Sequence, residues 1–203
     1  MADTGAPWNI PFVEPTDLVR DYPAADEAQA LAVAAGLSAA GNAGIGSNVV
    51  QTVKADTFST SSSSFVDITG LEVTITPTDA SSKILLLATI NFSNSNEADG
   101  NVGHIRLLAD ASPVFVGDAA SNRTQASATT GEQVIASYRN GGSQASSGLV
   151  FLHSPTTVSP VTYKVQGRRG TNGSLFVNRS GFDGDVATQA RTVSSITVIE
   201  VAA

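Results

Sequence analysis

Chemistry at the level of side chains has few carriers in this chain. There is no cysteine, and the only imidazoles are His104 and His153. A Ser-His-Asp arrangement is the one nucleophilic constellation the composition supplies. Serine and aspartate are plentiful, but no Gly-x-Ser-x-Gly elbow occurs, and a triad is defined by geometry rather than supply. His104 alternates with Ile105 and stands beside Arg106, on the polar side of a strand; His153 closes the apolar run Leu149–Leu152 just before Ser154-Pro155. Both read as polar residues of strands or strand ends. Hard oxygen ligands gather at Asn94–Asn101 and Asp183–Asp185. Neither stretch follows the ligand positions of an EF-hand loop, and no His-Glu-x-x-His occurs, so solvated turns account for both, with a loop-bound Ca²⁺ as the alternative. Gly41, Gly44 and Gly46 follow a helix rather than a strand and lack Gly-Lys-Ser/Thr, which separates them from a phosphate loop. Paired carboxylates could cleave a glycoside, but such sites also need aromatic platforms, and the single tryptophan is Trp8. The expectation is a protein that is no enzyme, holds no metal and carries no cofactor.

Composition narrows the class further. The 203 residues include 11 Lys+Arg and 18 Asp+Glu, for a net charge of −7. Charged residues are 14% of the chain, against about 25% in ordinary soluble domains. An acidic chain is a poor partner for a phosphate backbone, so no nucleic acid is expected. No apolar run reaches the roughly 18 residues of a membrane span, and the start Met-Ala-Asp-Thr-Gly-Ala-Pro has neither the basic nor the apolar region of a signal peptide. Membrane insertion is not expected. Asn-x-Ser/Thr sequences at Asn91, Asn122, Asn172 and Asn178 carry no weight without secretion.

The elements fall into two unequal parts. Residues 1–48 hold six acids against Arg20 alone, net −5, which leaves −2 for the rest. Pro7, Pro11 and Pro15 recur every fourth residue, fix their own φ and push the preceding residue toward extended backbone. Residues 1–22 are therefore read as an extended arm. Its apolar side chains, Trp8, Ile10, Phe12 and Val13 among the prolines, suit docking into a partner; packing back onto the chain's own domain, or a disordered tail, is the alternative. A helix follows, with Pro23 at its first position, Asp26 and Glu27 in its first turn and an alanine-rich body from Ala24 to Ala35. A helix this short is marginal alone, so Leu31 and Leu37 are candidate association contacts. Gly41–Asn48 reads as a flexible joint, giving divisions at 1–22, 23–48 and 49–203.

From Val49 the apolar period becomes two. Candidate strands are Val49–Ala55, Ser64–Thr69, Leu71–Ile75, Lys83–Ser93, Val102–Ala109, Pro113–Val116, Gln133–Tyr138, Gly148–His153, Thr162–Gln166, Ser174–Asn178 and Thr192–Val201, separated by turn clusters. The expected fold is all-β, an antiparallel, jelly-roll-like β-sandwich head behind the proline-rich arm and the short helix. Two strands have a surplus: Leu85 and Leu87 make the second face of Lys83–Ser93 apolar, and Ile199 and Val201 do the same at the end of the chain. Only one face of each sheet in a sandwich meets the core. The other face is expected to be covered by a second copy of the chain, with the chain's own loops as the alternative.

The arm Ala6-Pro-Trp-Asn-Ile-Pro-Phe-Val-Glu-Pro-Thr-Asp-Leu-Val-Arg-Asp-Tyr-Pro-Ala-Ala, with the helix after it, resembles the amino-terminal attachment segment of tailed-bacteriophage virion appendage proteins. The block from Asp56 through Ile84-Leu85, together with Val116–Arg123 and Tyr163–Gln166, is similar to a β module of such fibre or spike proteins. The resemblance implies a homotrimer on the virion, docked on other virion structural proteins by its arm (Trp8, Ile10, Pro11, Phe12, Val13, Pro15) and presenting β heads for adsorption to a host surface glycan or protein. The candidate host-facing loop residues are Asn96, Asp99, Tyr138, Asn140, Arg168, Arg169 and Phe182; the basic doublet 168–169 is read first as an exposed Gly-rich turn, with contact to an anionic sugar or lipid headgroup as the alternative. A capsid decoration protein without receptor binding and a glycan depolymerase are the rival readings.

Overall fold

Side chains of a strand point alternately to its two faces, so a strand with one wet face alternates in polarity. The computed structural model describes residues 2–3, 11–12, 27–36, 45–95, 102–130, 144–187 and 189–202. Its strands are β1 (Ala2–Asp3), β2 (Pro11–Phe12), β3 (Ile45–Lys54), β4 (Phe58–Thr60), β5 (Val66–Ile75), β6 (Lys83–Asn94), β7 (Gly103–Ala109), β8 (Ser112–Val114), β9 (Ala128–Thr129), β10 (Ala145–His153), β11 (Val161–Arg169), β12 (Leu175–Val177) and β13 (Ser194–Val201). One helix, α1, spans 27–36.

Two antiparallel sheets face each other across the core. In the first, β3, β13, β6 and β10 lie side by side in that order; in the second, the order is β5-β11-β7-β8, with β9 also on β7. The chain visits them as β3 first sheet, β5 second, β6 first, β7 and β8 second, β10 first, β11 second, β13 first. That is the connectivity of a jelly roll. The twelve-residue β6 is its spine. One side of β6 pairs with β10 from Ile84 to Phe92, and the other carries β13 over Lys83–Thr89 and β12 over Phe92–Asn94, with β4 beyond β12.

The core collects the inward positions. Ile84, Leu86, Ile90 and Phe92 of β6 and Ile196 and Val198 of β13 meet Leu71, Val73, Ile75, Ile105, Leu107 and Val165 of the opposite sheet. Each such side chain contributes about 1.5–3 kcal/mol when buried. Ile68 and Leu71 both point inward although three residues apart. The β5–β11 register slips between Lys164 and Gln166, and Gly70, at φ 83°, adopts the left-handed backbone the slip needs. Leu175 of the first sheet packs against bare backbone of the second. Its two δ-methyls occupy a notch left by Gly103 and Gly167, where any Cβ would stand well inside van der Waals contact with them.

Two buried polar residues of the core edge are held by several hydrogen bonds each. Asn178, fully buried at φ 61°, donates to the carbonyls of Lys54 (2.7 Å) and Asp56 (2.9 Å) and accepts from Ser194 Oγ (2.6 Å). Glu200, also buried, accepts from the Thr78 amide and hydroxyl, both at 2.7 Å, and from Asn48 Nδ2 at 3.2 Å. Burial alone would raise its pKa; the hydrogen bonds outweigh that and hold it below the usual carboxylate range. These contacts pin the turn between β5 and β6 against β13.

The structure revises several expectations. β3 starts at Ile45, so half of the expected Gly-rich joint is strand, paired through Ile45 with Val201. Pro11 and Phe12 are extended as expected but pair antiparallel with Ala2 and Asp3, which folds the arm back on itself. Trp8, Ile10, Val13, Pro15 and Leu37 lie outside the described residues, as does the strand expected at 133–138. The short strands β4 and β9 were not expected.

Substituting Gly167→Ala should cost about 1–3 kcal/mol through overpacking, read as a lower urea midpoint. Adding Leu175→Ala to it should cost less than the sum of the two single changes, because the new methyl fills part of the space that Leu175 vacates.

Candidate functional site

The outer face of the first sheet is apolar over four adjacent strands. Register brings Leu152, Leu85, Ile199 and Val49 into one cross-strand row. The next row is Val150, Leu87, Thr197 and Gln51, and the third is Gly148, Thr89, Ser195 and Val53. No charged side chain interrupts the three rows. Val150 is 62% exposed, Val53 56%, Val49 51% and Leu152 47%. Leu85 and Leu87 thus project outward, as read from the sequence, and β10 and β3 flank them with further apolar groups. Those flanking residues were missed, although the uninterrupted run Leu149-Val150-Phe151-Leu152 carried the same signal as Ile84–Leu87. Helix α1 has a similar character: Leu31 is 64% exposed, so nothing among the described residues covers it.

The outer face of the second sheet is polar, with Asp67 and Glu72 of β5 beside the cations of β11 and β7. Lys164, Gln166 and Arg168 of β11 and His104 and Arg106 of β7 share it, Gln166 opposite Arg106 and Arg168 opposite His104. Arg106 donates from Nε (2.9 Å) and Nη2 (2.8 Å) to Gln166 Oε1, and its guanidinium lies 4.1 Å above the Phe65 ring. Arg168 stands 5.8 Å from the same ring and donates to Thr124 Oγ1 at 3.3 Å. Asp67 accepts from Lys164 Nζ (2.7 Å) and Gln166 Nε2 (2.5 Å), bonds that hold its carboxyl below the usual range. His104 is kept below the ordinary histidine value first by burial and then by Arg168. Its placement beside Arg106 agrees with the sequence reading. The doublet does not: Arg168 and Arg169 are the half-buried end of β11, not an exposed turn. Arg169 is tied down by Nε to the Ser61 carbonyl (2.6 Å) and by Nη1 to the Thr171 carbonyl.

His153 ends β10, as read from the sequence, and is half-buried at the mouth of the sandwich. β10 aims it inward, where its Nδ1 meets the hydroxyl of fully buried Tyr163 at 2.7 Å. Phe115, Phe151 and His153 stack in sequence with centroids 5.2 and 5.9 Å apart, and Tyr163 meets His153 edge-on. Burial lowers the His153 pKa, with Asp110 opposing, and raises that of Tyr163. The His153 Nδ1–Tyr163 hydroxyl bond is internal to the fold, and no serine or carboxylate hydrogen-bonds His153 among the described residues.

The remaining candidates divide by place. Asp183 is occupied: it takes Arg191 through both carboxylate oxygens and Arg179 at 2.6 Å, Arg191 first among the bonds lowering its pKa. No group of three or more potential metal ligands occurs among the described residues. Phe182 is exposed in the loop before β13. Asn96, Asp99, Tyr138 and Asn140 lie outside the described residues. No helix among the described residues is long and apolar enough to cross a membrane.

No family model matches the sequence, and no curated protein matches it. Among solved structures, the chain is similar to that of the infectious bursal disease virus Gt strain, at 16% identity and a TM-score of 0.37 over 76% of this chain and 38% of that one. It is also similar to the infectious bursal disease virus VP2 subviral particle, at 15% identity and a TM-score of 0.36 over 76% of this chain and 41% of the other. The chain spans about two fifths of the length of those chains. The jelly-roll assignment stands on the strand order described above.

His153→Phe should leave the Tyr163 hydroxyl buried without a partner and cost about 1–3 kcal/mol, with Tyr163→Phe in the same chain recovering part of it in urea titrations. Because the folded pKa of His153 lies below its unfolded value of 6.5, the unfolded chain takes up the proton first. Stability should therefore fall as pH drops below about 6.5, and the double variant should show a shallower slope, His104 supplying the rest.

Proposed function

We propose that this chain is a non-enzymatic virion structural subunit of tail-fibre or spike type. It docks on the particle by residues 1–22, associates as a homo-oligomer and presents its β-sandwich heads for adsorption to the host surface. The observation that carries this reading is the outer face of β10-β6-β13-β3, where three rows are uncharged and Lys83 stands at the edge. Contiguous exposed apolar patches on soluble proteins mark interaction sites, and three uncharged rows on a sheet face suit a second copy of itself. The resemblance of the arm and of the 56–85 block to phage appendage proteins supports the same reading and favours three copies.

Magnitudes decide what the face can do alone. Burying a large aliphatic side chain contributes about 1.5–3 kcal/mol, and these groups are already half covered. Association costs an estimated 4–15 kcal/mol in lost rigid-body freedom. The sheet face therefore needs help. Leu31 of α1 and the arm supply it, and many copies multiply weak host contacts into useful avidity.

Replacing Leu85 and Leu87 by Ser should lower the mass seen by light scattering toward that of a single chain; an unchanged mass would remove the shared face from the reading. Deleting residues 1–22 should leave a folded oligomer that no longer enters particles. A truncated chain that unfolds would show instead that the arm belongs to the domain's own core.

A further inference from the structure

We propose that the outer face of β7 and β11 is a binding site for an acidic polysaccharide, with Arg106 and Arg168 taking its carboxylate or sulfate groups. The site deepens the host-contact part of the proposed function and rests on it. Among the described residues neither arginine forms a salt bridge; Asp67, whose charge reaches Arg106, bonds Lys164 and Gln166, and Glu72 stands opposite Lys164. A guanidinium carries five N–H donors. Arg106 uses Nε and Nη2 on Gln166, which fixes its plane over Phe65 and leaves Nη1 without a partner among the described residues.

The arrangement is costly unless an anion uses it. Two guanidiniums share one aromatic ring, and Arg168 lies directly opposite His104 across the ladder. Like charges in directly opposed positions are destabilising, and the Arg168 charge adds to burial, the larger cause, in lowering the His104 pKa. In a chain of net charge −7, this concentration is not a by-product of excess base. An oxyanion seated between the arginines would relieve their repulsion through charge-assisted bonds that fit the planar fork.

Three features select a sugar chain. Duplex nucleic acid carries one charge per about 1.7 Å, and that density would meet the acidic remainder of the chain. A lipid surface calls for a broad apolar patch beside the cations, whereas the ring beside these, Phe65, lies under the Arg106 guanidinium. A polysaccharide with about one anionic group per repeat matches two fixed guanidiniums flanked by hydroxyl and amide groups such as Thr124 and Gln166.

The test titrates the full chain with polygalacturonate oligosaccharides, dextran sulfate oligosaccharides and neutral dextran. Heat of binding and the His104 Cε1–H resonance are followed, the first two polymers separating a carboxylate from a sulfate source. Binding to at least one acidic polymer and not to neutral dextran is expected, weakening as salt rises. Arg106→Gln and Arg168→Gln should each weaken it about tenfold or more. Lys164→Gln, whose charge is already paired, should stay within about twofold. The His104 titration should move to higher pH with the bound polymer. Arg168→Gln guards against misfolding, since that side chain has the looser internal bonds. Failure of both acidic polymers, wild-type affinity in Arg168→Gln or an unmoved His104 resonance would each overturn the site. If the Leu85/Leu87 variant disperses the oligomer while neither polymer binds, the appendage reading stands and only this site falls.

Discussion

A two-sheet sandwich has one interior and two exteriors, and the rest of this molecule follows from how its side chains are divided among them. Strict alternation sends half of each strand inward, which fills the core with Ile84, Leu86, Ile90 and Phe92 against Leu71, Val73 and Ile75. Apolar groups beyond that number have nowhere to go but outside. They do not scatter: register lines up Leu152, Leu85, Ile199 and Val49 on one exterior. The other exterior takes the cations and amides. The molecule is two-sided because a pleated strand is.

Three polar groups that enter the interior are paired within it. Tyr163 has His153, Glu200 has Thr78 and Asn48, and Asn178 has the carbonyls of Lys54 and Asp56. Each pair removes a desolvation cost that an unpartnered group would impose. The same pairing explains why shifted titrations here do not announce catalysis. The imidazole of His153 and the carboxylate of Glu200 are spoken for within the fold, and their pKa shifts record burial and bonding rather than a poised reactive group.

Much of the fold was legible because period two is a strong signal. The apolar alternation in β5, β6, β11 and β13 led directly to a sandwich, and Leu85 and Leu87 were placed on the outer face. What was not legible depended on contacts between distant residues. Gly167 and Gly170 made the doublet Arg168-Arg169 look like a turn, whereas Gly167 is bare to admit Leu175, and the strand runs on to Arg169. His153 looked polar beside Ser154-Pro155, yet the phase of β10 turns it inward toward a phenol ten residues away. The joint at 41–48 seemed loose because glycine and asparagine dominate it, but β13 offers Ile45 a ladder partner. The cationic face was half visible: His104 and Arg106 could be placed side by side, while Phe65 and Arg168 reach them only through sheet pairing.

The seat of Leu175 has a consequence for how such a chain can diverge. A bulkier group at 103 or 167 is tolerable only if 175 shrinks in step, and a larger group at 175 has no room while the floor beneath it is bare backbone. Three positions on three strands therefore form one heritable unit. Among descendants of this sequence they should drift together or hold still together, while the rows of leucine and valine on the outside are free to follow whatever they touch.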